Sequence, residues 1–178
     1  MRELDLRVFY WINGWPDWLD PVFIFFSEGN KWTWVRIGLL LALIGMIWYK
    51  NTRKPVLLSM LAWPIANEVC DVLKHTLKGP RPSVELADAV IRVNKLTSFG
   101  TASAHSATMM SIAVAFLMYN RIGGYAWLFV AIMTGLSRIF IGVHYPYQVL
   151  FGWLVGGFCG WLIATTWEAF VRLRESKN

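Results

Sequence analysis

Few residues in this chain can do chemistry, and three short stretches hold most of them. Lys74, His75, Lys78, Arg81 and Pro82 close one apolar run; Ser103 and His105 open another. Ser137, Arg138 and His144 close a third run and open the last. Fixed cations, two histidines, a hydroxyl and a helix start together suit a tetrahedral oxyanion. Ser103 is a good N-cap, with free backbone N–H groups just beyond it. Helix N-termini bind phosphate through those groups and the helix dipole. Arg81 and Arg138 can fork onto phosphate oxygens, and Lys74 adds a point charge. His105 and His144 can divide nucleophilic and acid–base work. Taken singly, each has a plainer reading: a snorkelling anchor for a Lys or Arg, a hydrogen-bonded interface residue for a His. Only their meeting at one surface would carry weight, and that depends on the elements that position them.

Those elements belong to a membrane protein. The chain has 178 residues, 56% hydrophobic and 16% charged, against roughly 25% charged in an average soluble domain. A soluble core of this size could not hide so much apolar surface. The same numbers exclude a disordered chain, and two cysteines, Cys70 and Cys159, exclude a disulfide scaffold. The net charge of +6 does not point to nucleic acid, because the 17 basic residues cluster at the ends of apolar segments, where snorkelling and the membrane surface account for them. No linker or repeat divides the chain, so residues 1–178 form one domain. The N-terminus lacks the clean apolar stretch of a signal peptide.

The fold class expected is an all-α polytopic membrane bundle. Residues 4–15 read as an amphipathic interfacial helix. Six spans follow, at 19–26, 33–50, 55–78, 103–119, 124–141 and 147–170; the first is short for a bilayer. Basic residues in short loops mark the cytoplasmic side. Lys50, Arg53, Lys54, Arg121 and the C-terminal Arg172, Arg174 and Lys177 fall on one side, and six spans would add Arg2 and Arg7 to it. The 79–102 connection and the turn near 142–146 then lie on the opposite side, which brings the three chemical stretches together. Gly152, Gly156 and Gly160 recur at four-residue spacing, which suits close helix approach inside the bundle or a homodimer seam; the chain is expected as a monomer or a homodimer.

The motifs resemble those of the membrane-bound type 2 phosphatidic acid phosphatases, a family related to the vanadium haloperoxidases. Its first motif, K-x6-R-P, is matched by Lys74, Arg81 and Pro82. Its second, P-S-G-H, reads Ala102, Ser103, Ala104 and His105. Its third, S-R-x5-H-x3-D, is matched by Ser137, Arg138 and His144, with Gln148 in place of the acid. The resemblance implies a hydrolase of lipid phosphates that uses neither metal nor cofactor. By position His144 attacks phosphorus and forms a phosphohistidine, while His105 protonates the leaving oxygen and then activates water. Lys74, Arg81, Ser103, Arg138 and the backbone N–H of Ala104 hold the phosphoryl oxygens. Gln148 would accept a ring N–H of His144; the runner-up for that role is a carboxylate from elsewhere, Asp71 being nearest. The stretch from Gly100 to Thr108 looks most like lipid A 1-phosphatases of the bacterial inner membrane, acting on the periplasmic side. Undecaprenyl pyrophosphate and phosphatidylglycerol phosphate are the alternative substrates. A serine protease built on Ser103 would not need three cations in its site, and zinc would need carboxylate partners that the histidines lack. A non-catalytic lipid-binding or flippase-like protein draws its one support from the missing acid.

Overall fold

The computed structural model describes residues 2–94, 96 and 98–177, and every regular element among them is helical. Eight α-helices follow in order: α1 (Arg2–Asn13), α2 (Asp20–Glu28), α3 (Thr33–Trp48), α4 (Lys50–Leu77), α5 (Pro82–Glu85), α6 (Ala104–Leu117), α7 (Arg121–Phe140) and α8 (Pro146–Glu175). The segments Lys50–Glu85, Arg121–Phe140 and Pro146–Glu175 are long and apolar enough to cross a bilayer. α2 and α3 pass that test only as a pair, bent by 73°, and α6 is a shorter apolar helix. Leu40, Leu41, Leu154 and Phe158 point outward, as lipid-facing side chains do.

α6 is the central helix, packed against α4, α7 and α8. Its contact with α8 explains the glycine spacing. A Cβ on Gly152 would lie 2.5 Å from Ser103 O, on Gly156 2.0 Å from Ala107 O, and on Gly160 2.5 Å from Ser111 O. Small residues face one another on both helices, so the backbones meet directly. These glycines are consumed inside the bundle, and the homodimer seam proposed for them has no surface to use. Cys70 and Cys159 are both buried and unpaired.

Two sets of loops define the ends. At one end Lys54 bonds Glu168 at 2.7 Å and Asn120 donates to Asn51 O at 3.4 Å. At the other, the Asn13 amide donates to Val90 O and Phe140 O at 2.8 and 2.9 Å. Arg92 there reaches Trp15 O, Phe140 O and Asp20. α1 therefore lies with the 79–102 connection and not with the basic loops. This corrects the expected placement of Arg2 and Arg7. The reason is α2: nine residues make about 13 Å of helix, and it packs back along the end of α7, with Phe23 and Phe140 rings 4.7 Å apart. The first apolar stretch turns at this end instead of crossing.

Candidate active site

Each stretch is delivered to this end by a local stop or start signal. α4 ends at Lys78, whose left-handed backbone (φ 49°) caps the helix; Pro80 and Pro82 then forbid its continuation. Ser103 is the N-cap of α6, and its Oγ accepts from Ser106 N at 3.4 Å. The α7–α8 turn hangs on Arg138, whose carbonyl accepts from Val143 N and His144 N at 3.2 and 3.1 Å. Gly142 makes that turn with φ +82°, where a Cβ would also strike Val90 O at 2.5 Å. α8 opens with Pro146 at its first position. Ser103 N donates to Gln148 O at 3.0 Å and ties the start of α6 to the start of α8.

His144 stands at the centre, 2% exposed. Its Nδ1 lies 3.0 Å from Gln148 Oε1 and its Nε2 2.8 Å from Arg81 Nη1. The Gln148 amide has four hydrogen-bonding positions, two on each end, and all are used. Nε2 donates to Pro80 O at 2.7 Å and to Tyr147 Oη at 3.0 Å, while Oε1 also accepts from Tyr145 N at 3.2 Å. That last bond is the N3 half of a capping box. The amide can therefore face the ring only with its oxygen, so Nδ1 carries the proton. Nε2 keeps its lone pair and accepts from Arg81, which cannot be an acceptor itself. Burial holds the imidazole well below its ordinary pKa, and the Arg81 and Arg138 charges add to this while the Gln148 bond opposes it. The ring is neutral at pH 7 and its free nitrogen points toward the cations.

The cations are themselves anchored. Arg81 donates to Ser98 O at 2.6 Å, Val143 O at 2.9 Å and Ser98 Oγ at 3.2 Å. Arg138, 3% exposed, donates through Nη1 to Ser27 and to Glu28 Oε1 at 3.2 Å. Its Nε is buried without a partner among the described residues. Lys74 Nζ pairs with Asp71 at 2.6 Å, so Asp71 is engaged there, and His144 takes its acceptor from Gln148. His105 sits in the first turn of α6, with Arg138, Glu28, Lys31 and Lys74 as its charged neighbours. Ala104 is the first residue of α6. No group of three or more His, Cys, Asp or Glu among the described residues could hold a metal ion.

Sequence reasoning missed five contributors. Ser98 and Gly100 come from the long connection, and a Cβ on Gly100 would sit 2.7 Å from Arg81 Cγ and 2.8 Å from Gln148 Oε1. Tyr147 supports Gln148. Ser27 and Glu28 come from α2, and Glu28 had a signal: it is an acid ending the apolar run from Val22 to Phe26, a position that is a functional candidate by default.

An anchored histidine, a second histidine, two buried arginines and the start of a helix thus meet at one end of the bundle. The PAP2 superfamily model matches residues 52–172, and the chain belongs to that superfamily. It is similar to an undecaprenyl-diphosphatase of Sulfolobus acidocaldarius, 25% identical over 81% of this chain and 68% of that one. A lipid A 4'-phosphatase of Bacteroides thetaiotaomicron is 26% identical over 91% of this chain and 76% of its own. The crystal structure of Aquifex aeolicus LpxE superposes with a TM-score of 0.78 at 26% identity, covering 91% of this chain and 95% of that one. The protein is thus a membrane-embedded lipid phosphatase, a phosphate hydrolase with a multi-pass helical fold.

Proposed function

We propose that this protein removes the terminal phosphate of lipid A 1-phosphate at the periplasmic face of a bacterial inner membrane, through a phosphohistidine on His144. The observation that carries the chemistry is the oriented His144, whose proton is pinned on Nδ1 by Gln148. The observation that supports a phosphate partner is the Nε of Arg138, buried and without a partner among the described residues. The phosphoryl oxygens take Arg81, Arg138, Lys74, Ser103 and the Ala104 N–H, and Arg81 Nη1 passes from His144 Nε2 to an oxygen. Nε2 then attacks phosphorus in line while the P–O bond to the lipid breaks and His105 gives its proton to the leaving oxygen. Water, deprotonated by His105, breaks the P–N bond and releases inorganic phosphate. Positioning and charge do most of the work in phosphoryl transfer, and the fixed cations take the part that Mg²⁺ plays elsewhere.

The 1-phosphate assignment draws on the motif resemblance, and lipid A as the lipid is supported by a relative that is a lipid A 4'-phosphatase. The second reading is a prenyl diphosphate, favoured by the undecaprenyl-diphosphatase relative. Phosphate release from lipid A 1-phosphate, undecaprenyl diphosphate and phosphatidylglycerol phosphate in detergent, with and without excess EDTA, tests the proposal. The expected result is fastest release from lipid A 1-phosphate, unchanged by EDTA. Faster turnover of the prenyl diphosphate would reassign the substrate. Loss on chelation, restored by one metal, would overturn the mechanism, and silence on all three lipids would favour a non-catalytic role.

A further inference from the structure

The end of α2 supplies no group to the reaction as derived above, yet it meets the site at one atom. Nη1 of Arg138 carries two N–H groups, and both are taken, by Ser27 Oγ at 2.5 Å and by Glu28 Oε1 at 3.2 Å. Ser27 is fully buried, and the Glu28 side chain is 16% exposed. The other oxygen of Glu28 pairs with Lys31 in the turn that follows, so the carboxylate is held from both sides. What remains of the guanidinium is the edge made by Nε and Nη2. Nε is buried and has no partner among the described residues. A guanidinium edge with two parallel N–H groups matches two oxygens of a phosphate.

We infer that Ser27 and Glu28 are positioning residues that hold Arg138 by Nη1 so that its Nε–Nη2 edge faces the phosphoryl group. This rests on the function proposed above. A carboxylate beside an anion site is otherwise unfavourable, since it repels the phosphate it adjoins. Holding the arginine by its far nitrogen gives the acid a use that offsets this repulsion. The two effects of Glu28 have opposite signs, so substitutions separate them. Glu28→Gln keeps an oxygen acceptor for Nη1 and removes the charge. Glu28→Ala removes both. Ser27→Ala removes the other acceptor and leaves the charge.

The test measures inhibition by orthovanadate, with kcat and KM on whichever lipid phosphate turns over fastest, for purified full-length enzyme in detergent. Glu28→Gln should bind vanadate as tightly as wild type or more tightly, with kcat retained. Glu28→Ala and Ser27→Ala should each weaken vanadate and raise KM by about tenfold, the order of one hydrogen bond to a charged group. If Glu28→Ala tightens vanadate as Glu28→Gln does, Glu28 is only a competing anion and the inference fails. If none of the three variants moves the vanadate constant, it fails equally. Arg138→Ala is the control on the underlying reading: a wild type without turnover, or an Arg138→Ala enzyme that binds vanadate unchanged, would remove the phosphate site itself. A Glu28→Ala chain that does not fold leaves the decision to Ser27→Ala and Glu28→Gln.

Discussion

A glutamine standing where the family pattern has an acid looks like a lesion, but the Gln148 amide is built into its place. Two donors from its nitrogen and two acceptances at its oxygen leave it one orientation. An amide turned the other way would donate to the ring and force the wrong tautomer, an error that costs a serine-protease triad about 10⁴ in rate. What Gln148 cannot supply is charge. His144 has a depressed pKa from burial and from two arginines; attack needs the neutral ring, so the acid limb of kcat/KM that reports His144 should lie below its ordinary pKa of about 6.5. Gln148→Asp should retain activity and move that limb to higher pH, because a carboxylate favours the charged imidazolium. Gln148→Ala should slow turnover by roughly 10–100-fold, as loss of an orienting partner does, while His144→Ala should abolish it. A pH–rate series on these three variants checks all of this. An unmoved limb in Gln148→Asp would mean that the residue does not act through the ring.

Helix contacts set the distances on which that geometry depends. Ser103 and Gln148 meet because α6 and α8 touch backbone to backbone at Gly152, Gly156 and Gly160. Gly156→Ala places a methyl 2.0 Å from Ala107 O and should cost about 1–3 kcal/mol as an overpacked contact. Thermal unfolding in detergent would reveal it as a lowered midpoint, with kcat falling as the two helix starts separate. An unchanged midpoint would show that the helices yield at little cost. The sequence made this face visible only in half. The glycines stood out, but Ser103, Ala107 and Ser111 repeat at the same interval on α6 and pass as ordinary small residues. The apolar runs, their polar ends and the three motifs were also readable, because span length and motif spacing are local properties. Which acceptor held Arg81, and how α2 turned, were not readable. Ser98, Gly100 and Ser27 reach the site only through tertiary packing, and an apolar stretch of about eight residues is equally compatible with a short span and with a helix folded back on the bundle.

The two ends of the molecule are chemically distinct. Lys50, Arg53, Lys54 and Arg121 sit at the end opposite the site, with the Arg172 and Arg174 region of α8. α1 caps the site end: Asp5 accepts from Tyr147 N at 2.8 Å and Arg2 pairs with Glu85. The positive-inside rule predicts from this a cytoplasmic C-terminus with α1 on the outer side, the orientation that the proposed function requires. A C-terminal fluorescent-protein fusion should glow, and a single cysteine replacing Glu3 should react with a membrane-impermeant thiol reagent in cells whose outer membrane has been permeabilised. Protection of that cysteine until the cells are lysed would restore the N-terminus to the cytoplasmic side and require α2 to cross.

The proposed mechanism requires that the phosphoryl group rest on His144 during each turnover. Rapid quenching of the purified enzyme during turnover of a ³²P-labelled lipid phosphate, followed by denaturing electrophoresis at alkaline pH, tests it directly. The expected result is label on the protein that survives base, is lost in acid, maps to the peptide containing His144 and is missing from His144→Ala. Phosphate release without any labelled protein at the shortest times, or label that persists in His144→Ala, would contradict it.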